Sequence, residues 1–331
     1  MHLVRGSFWG SRITRWRSTS HRAASVAGAG LLFVVVLALC PAMVAQTPLP
    51  AAKNPASKDT EGFSAGWTLN ARFEGDYSSY AGVYDFATAV GYNFSRHLGV
   101  DAGVPVYFVN TATSIKQTNP GAVSGTGIGN TFLDLLVNYP NRSFNYSSVI
   151  HLTAPVGDTK KGFSTGHATW NYTNHFDHAF RDWSPFLDAG VGNTLLDTRY
   201  FTRPYSSFGY NAAFTGGLEY DHGPYSFQAG AYDVAPWGNQ TMISRVFRCG
   251  ASATCNAGGG SHNRKGFASS SVTKGSADLV RDNGYEAGID FKPVSYLDFE
   301  FDYSRSVPLS LNNYSFGIGI NLSSLVRPRA H

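Results

Sequence analysis

Tyr314-Ser-Phe-Gly-Ile-Gly-Ile-Asn-Leu322 alternates without a break. Tyr314, Phe316, Ile318, Ile320 and Leu322 take every second place, and Ser315, Gly317, Gly319 and Asn321 fill the rest. The preceding segment repeats the rhythm with charge, since Leu297, Phe299, Phe301 and Tyr303 alternate with Asp298, Glu300, Asp302 and Ser304. Successive side chains of a β-strand point to opposite faces, so each segment carries one apolar and one polar wall. A helical repeat of about 3.6 residues would mix the two sets.

Working back from this hairpin, the same period predicts about twelve strands. They fall at 67–77, 83–94, 98–109, 127–139, 146–154, 167–179, 184–195, 209–220, 225–234, 283–291, 297–306 and 313–322. Alternate joins are tight (95–97, PNRSFN, RDW, DHGP, KPVSY), whereas most others are long: 110–126, 155–166, 196–208 and 235–282. Short turns at one end and long loops at the other, with an even strand count, are the plan of an antiparallel up-and-down barrel of the outer-membrane type. The last strand then pairs with the first, where Trp67, Leu69, Ala71 and Phe73 supply the matching apolar face.

A soluble barrel also alternates, with its apolar face inward. Three features favour the inverted arrangement. The strands are long enough to cross a bilayer at a tilt. Aromatics gather at strand ends, among them Tyr92, Phe94, Tyr139, Tyr146, Trp183, Tyr220, Tyr225 and Tyr296, as in an interfacial girdle. The polar face is rich in Gly, Ala, Ser, Thr and Asn, and charged residues make up only 15% of the chain, low for a solvated surface.

The first 45 residues read as an export signal. Arg5, Arg12, Arg15, Arg17 and Arg22 precede the apolar run Leu31–Leu39, and no acidic residue occurs before Asp59. Cleavage is expected after Ala45. A retained span over Ala23–Ala45 is the competing reading, and a lipid anchor at Cys40 is disfavoured by bulky Leu39 and by Pro41. Residues 46–64, rich in Pro, Ala and Lys, form a flexible leader; 65–323 are the barrel and 324–331 a tail. Removing the signal takes the 26 basic residues to 21 against 22 acidic ones, so the basic pI belongs to the signal and no nucleic-acid surface is indicated. Cys249 and Cys255, in a Gly/Ser-rich stretch, suit a small loop disulfide in an oxidising compartment. A metal site with His262 would lack ligands for structural zinc, so no metal or other cofactor is expected.

If the apolar face meets outer-membrane lipid, the polar face lines a lumen. The acids assigned to it are Glu74, Asp76, Asp85, Asp101, Asp134, Asp177, Asp188, Glu219, Glu286, Asp290, Asp298, Glu300 and Asp302. On the strands they are opposed by Arg72, with His151 and His175 as further partners. Such a wall attracts cations, unless Arg199, Arg203, Arg245, Arg248 and Arg281 fold in from the loops and neutralise it. Hydrolase fragments can be drawn around His151 with Ser147, or His167 and His175 with Asp177, but their spacing is ordinary, and no enzyme is expected. TGIGN at 126–130 and GGG at 258–260 lack the strand-to-helix setting of a phosphate loop.

Gly125-Thr-Gly-Ile-Gly-Asn130, then Thr131–Val137, His151-Leu-Thr-Ala-Pro-Val-Gly-Asp158 and Gly162-Phe-Ser-Thr-Gly166 give a glycine-rich strand start, a Pro-x-Gly-Asp loop and a glycine-rich return. This stretch, about residues 125–195, resembles the outer-membrane barrel family associated with meta-pathway phenol degradation. Asn130 and Val156 stand where that family has Asp and Thr. The resemblance implies a channel or transporter passing small, often aromatic, molecules. The sequence therefore leads to an outer-membrane channel for a small solute, delivered by the assembly machinery for outer-membrane proteins. The alternative is a non-conducting structural or adhesion barrel acting through loop 235–282.

Overall fold

The computed structural model describes residues 65–119, 121–140, 144–248, 264–294 and 296–323. The signal, the leader, the tail and the Cys249–Cys255 pairing lie outside the described residues.

Period-two segments become strands: β1 (Gly66–Ser78), β2 (Ala81–Asn93), β3 (Leu98–Gly103), β4 (Val106–Thr111), β5 (Gly125–Ile128), β6 (Thr131–Tyr139), β7 (Asn145–Ala154), β8 (Thr169–Asp177) and β9 (Trp183–Gly192). After a short β10 (Tyr205–Phe208) come β11 (Asn211–His222), β12 (Tyr225–Pro236), β13 (Gln240–Ser244), β14 (Val272–Gly275), β15 (Asp282–Val294), β16 (Leu297–Ser306) and β17 (Leu311–Asn321). Every neighbouring pair is antiparallel, and β1 pairs with both β2 and β17, with Phe73 opposite Phe86 on one side and Ile318 on the other. The sheet thus closes on itself through β1 and β17, as a wall in hydrocarbon requires.

Among the described residues the wall has twelve staves, two of them broken once. β3 pairs with β6 and β4 with β5, while β2 pairs with both β3 and β4. The sequence reading treats 98–109 and 127–139 as continuous. The interruption comes at Val104–Pro105, where proline has no N–H for the ladder, and at Gly129–Asn130 opposite it. The Gly129 N–H donates to the Pro105 carbonyl (2.6 Å), holding the two breaks together.

The alternation faces as expected of an inverted barrel. On β16, Asp298, Glu300 and Asp302 are buried, whereas Phe301 between them is 62% exposed; on β17, Asn313 and Ser315 are buried while Tyr314 and Phe316 are exposed. Apolar side chains meet the surroundings and polar ones the interior. Only hydrocarbon makes such an outer face favourable, because it removes those groups from water. At the end with the tight turns, Trp67 packs on Tyr92 (5.2 Å between ring centres), Trp183 on Tyr220 (4.6 Å) and Tyr225 on Phe291 (4.9 Å). All eight aromatics expected in a girdle lie at this end. A second band, missed in the sequence, rings the other end, with Tyr210 stacked on Trp237 and Tyr303 against Tyr285 and Tyr314.

The long loops fold into a cap over that second end. β10, β13 and β14 form a separate three-stranded sheet. Its apolar side joins Tyr80, Phe163, Phe201, Met242, Phe267, Leu279 and Leu309 in a buried cluster. Phe267, completely buried, contacts the rings of Tyr80 and Tyr205. The apolar core therefore sits under the cap, and the polar interior begins below it.

Candidate functional site

Twelve of the thirteen acids assigned to the polar face are buried within the barrel, and Asp101 is half-buried. They do not form one ring. On β6 and β7, His151 Nδ1 lies 2.6 Å from Asp134. On β8 and β9, His175 sits between Asp188 (2.6 Å) and Asp177 (3.3 Å), and Asn145 donates to Asp177 (2.9 Å). On β11 and β12, the Ser226 hydroxyl donates to Glu219 (2.5 Å). Thr68 reaches Asp101 at 3.4 Å. Each of these acids has a local partner on the wall itself.

The densest group lies where the sheet closes, on β1, β2, β15 and β16. Register places Glu74 opposite Asp85, and Asp290 opposite Glu300. Glycines stand beside several of the acids, Gly317 facing both Glu74 and Glu300, and Gly288 facing Asp302. That space is used by guanidinium groups. Arg72, buried on β1, bonds Glu74 at 2.5 Å, pairs with Glu300 and approaches Asp298 at 3.8 Å.

A second guanidinium arrives from a loop. Residues 193–204 descend from the cap as a finger, tightened by reciprocal backbone hydrogen bonds between Thr198 and Phe201 (3.2 and 3.1 Å). Arg199 at its tip donates to Asp290 (3.0 Å) and Asp302 (2.7 Å). The Tyr200 carbonyl accepts from Ser304 (2.6 Å), Asn313 (2.9 Å) and Ser315 (3.2 Å), and the Thr202 hydroxyl bonds Asp76. Higher on the finger, Arg203 donates to the Leu196 carbonyl (2.7 Å) and lies 3.7 Å from Asp282. Arg245, just after β13, pairs with Asp197 (2.8 Å). Burial opposes the charge on Arg245, but Asp197 and Tyr107 outweigh it, and the guanidinium holds its proton more tightly than usual.

Three of the five loop arginines considered in the sequence thus fold inward. Arg248 instead donates to the carbonyls of Ser244, Phe247 and Lys161, and Arg281 is exposed. Burial lowers the proton affinity of Arg248, with Asp158 acting against it. Neutralisation at the acidic wall is partial, because the carboxylates outnumber the arginines that reach them. Asp197 and Asp282, which anchor the base of the finger, were missed in the sequence. Beside the Asp85 end of the acidic wall, against the broken staves, a cavity of about 100 Å³ is lined by residues that include Tyr107, Asn130, Phe132, His151, Phe163 and Arg245.

No family model and no curated protein sequence matches the chain. Solved structures do. An outer membrane channel from Pseudomonas putida F1 superposes with a TM-score of 0.50 at 10% identity, over 81% of this chain and 100% of that one. The NanC porin gives 0.44 at 9% identity, over 77% and 100%. The KdgM porin in complex with disordered oligogalacturonate gives 0.41 at 11%, over 76% and 98%. At 10% identity the likeness to the Pseudomonas channel is one of fold, which in this chain is a closed, twelve-stave, antiparallel β-barrel.

Proposed function

We propose that this chain is an outer-membrane channel for small solutes whose carboxylate-rich lumen disfavours anions. The observation that carries the reading is the inverted wall, apolar outward and polar inward, with its carboxylates in excess at the closing seam. An interior of low dielectric strengthens the field of such a wall, and rings of acidic side chains favour cations in pores. Export by a cleaved N-terminal signal and insertion by the outer-membrane assembly machinery follow from the basic, then apolar, N-terminal sequence. In this orientation the tight turns face the periplasm and the cap faces outward. Passage of aromatic solutes is a weaker extension, resting on the family resemblance of residues 125–195.

Liposome swelling separates this reading from a non-conducting adhesion barrel. Vesicles carrying the refolded mature chain should swell in neutral and ammonium-bearing sugars faster than in a carboxylate-bearing sugar of the same size. Swelling no faster than in protein-free vesicles would favour the adhesion barrel, and equal rates for all three sugars would remove the role of the acidic wall.

A further inference from the structure

The finger is held by the kind of interaction a solute could copy. Its tip makes ionic and hydrogen-bonded contacts with the lumen wall, and the Arg199 guanidinium lies between Asp290 and Asp302, with Glu300 at 3.9 Å. The absence of a side chain on Gly288 leaves room for the pair: a Cβ there would lie 2.0 Å from Asp302 Oδ1 and 2.7 Å from Arg199 Nη2. Beside it Tyr200 is buried, its ring 4.6 Å from the Arg199 guanidinium and its hydroxyl without a hydrogen-bond partner among the described residues. A polar group so placed has an unmet bonding capacity, which is costly in a buried site. The site therefore has a slot cleared by a glycine, acceptors on two sides and a spare hydroxyl, and the chain's own cation occupies it.

We propose that this slot on β15 and β16 is a binding site for small guanidinium- or ammonium-bearing cations, which enter by displacing Arg199 and so withdraw the finger. The proposal rests on the channel reading and names the solute class for it. A guanidinium is preferred over an ammonium, because its planar fork can meet Asp290 and Asp302 at once, as Arg199 does. The finger tip lies on the lumen wall of β1 and β15–β17, below the cap, so a solute that follows this wall meets these contacts. A cation replaces them while leaving no carboxylate unpaired, whereas an anion could pair with Arg199 but would strand the acids.

Calorimetric titration of the mature chain in detergent with methylguanidinium tests this directly. Arg199→Gln should bind the probe about tenfold or more tighter than the native chain, because an internal competitor lowers apparent affinity. Adding Asp290→Asn and Asp302→Asn to that variant should abolish binding, and urea, flat but neutral, should not bind. Equal affinity in native and Arg199→Gln protein, or binding that survives loss of both carboxylates, overturns the proposal. Hydrogen exchange of the native chain gives a readout that needs no variant. The amides of residues 198–203 should exchange faster in methylguanidinium than in sodium at the same ionic strength, and unchanged exchange also overturns it. Neither readout needs a solute flux. A chain that binds in this pattern but passes nothing refutes the channel reading alone, and one that passes solutes without binding refutes only this site.

Discussion

Arg72→Met is expected to be among the most destabilising single changes in the barrel. The side chain is 1% exposed and contacts Glu74, Glu300 and Asp298, two of them on β16, on the far side of β17 from its own strand. It therefore holds together three consecutive staves at the seam where the sheet closes. Removing one partner of a buried ion pair leaves charge without compensation and costs about 3–5 kcal/mol. Methionine fills similar space, so lost packing contributes little of that. The measurement is the urea midpoint of unfolding in detergent, read together with heat-modifiable gel migration. Both should show a less stable barrel, and adding Glu300→Gln should recover part of the loss. An Arg72→Met barrel as stable as the native one would show that Arg72 does not hold the seam.

Asp298→Asn, Glu300→Gln and Asp302→Asn together should markedly weaken the cation preference of the lumen. The three acids alternate along the inner face of β16, and Asp290 stands opposite Glu300 on β15. The amides keep shape while removing three negative charges. Arg72 retains Glu74, and Arg199 retains Asp290, so each guanidinium keeps a carboxylate. Five acids, Glu74, Asp76, Asp85, Glu286 and Asp290, then face these two guanidinium groups, so the local field becomes less negative. In a salt gradient across a planar bilayer the reversal potential should move toward the value set by chloride, with heat-modifiable migration confirming a folded barrel. An unchanged reversal potential in a folded variant would mean that permeating ions do not pass this wall.

Much of the architecture was legible because alternation is a local property. Tyr314 to Leu322 and Leu297 to Ser304 declare their two faces within nine residues or fewer, and the closing partner at Trp67–Phe73 shows the same pattern. The break at Val104–Pro105 was also written locally, in the proline, but a continuous stave through 98–109 overlooked it. The cap was not legible. Its strands Tyr205–Phe208, Gln240–Ser244 and Val272–Gly275 are four or five residues long, too short for periodicity to separate from loop. The inward position of the acids was readable from alternation, and His151 and His175 as partners for them, but which acid each histidine meets, Asp134 and Asp188, came from the register of the folded sheet. The finger was not, because the direction a long loop takes depends on what lies across the barrel. The available hint was chemical: Arg199 and Arg203 in one loop of a barrel whose stave Leu297–Ser306 carries acids at Asp298, Glu300 and Asp302.

The measurement that bears most directly on the account is the reversal potential of the unmodified mature chain in a potassium chloride gradient across a planar bilayer. An acidic lumen that serves as the solute route predicts stable conductance with a reversal potential displaced toward the potassium equilibrium value. No conductance, or a displacement toward the chloride value, would contradict it.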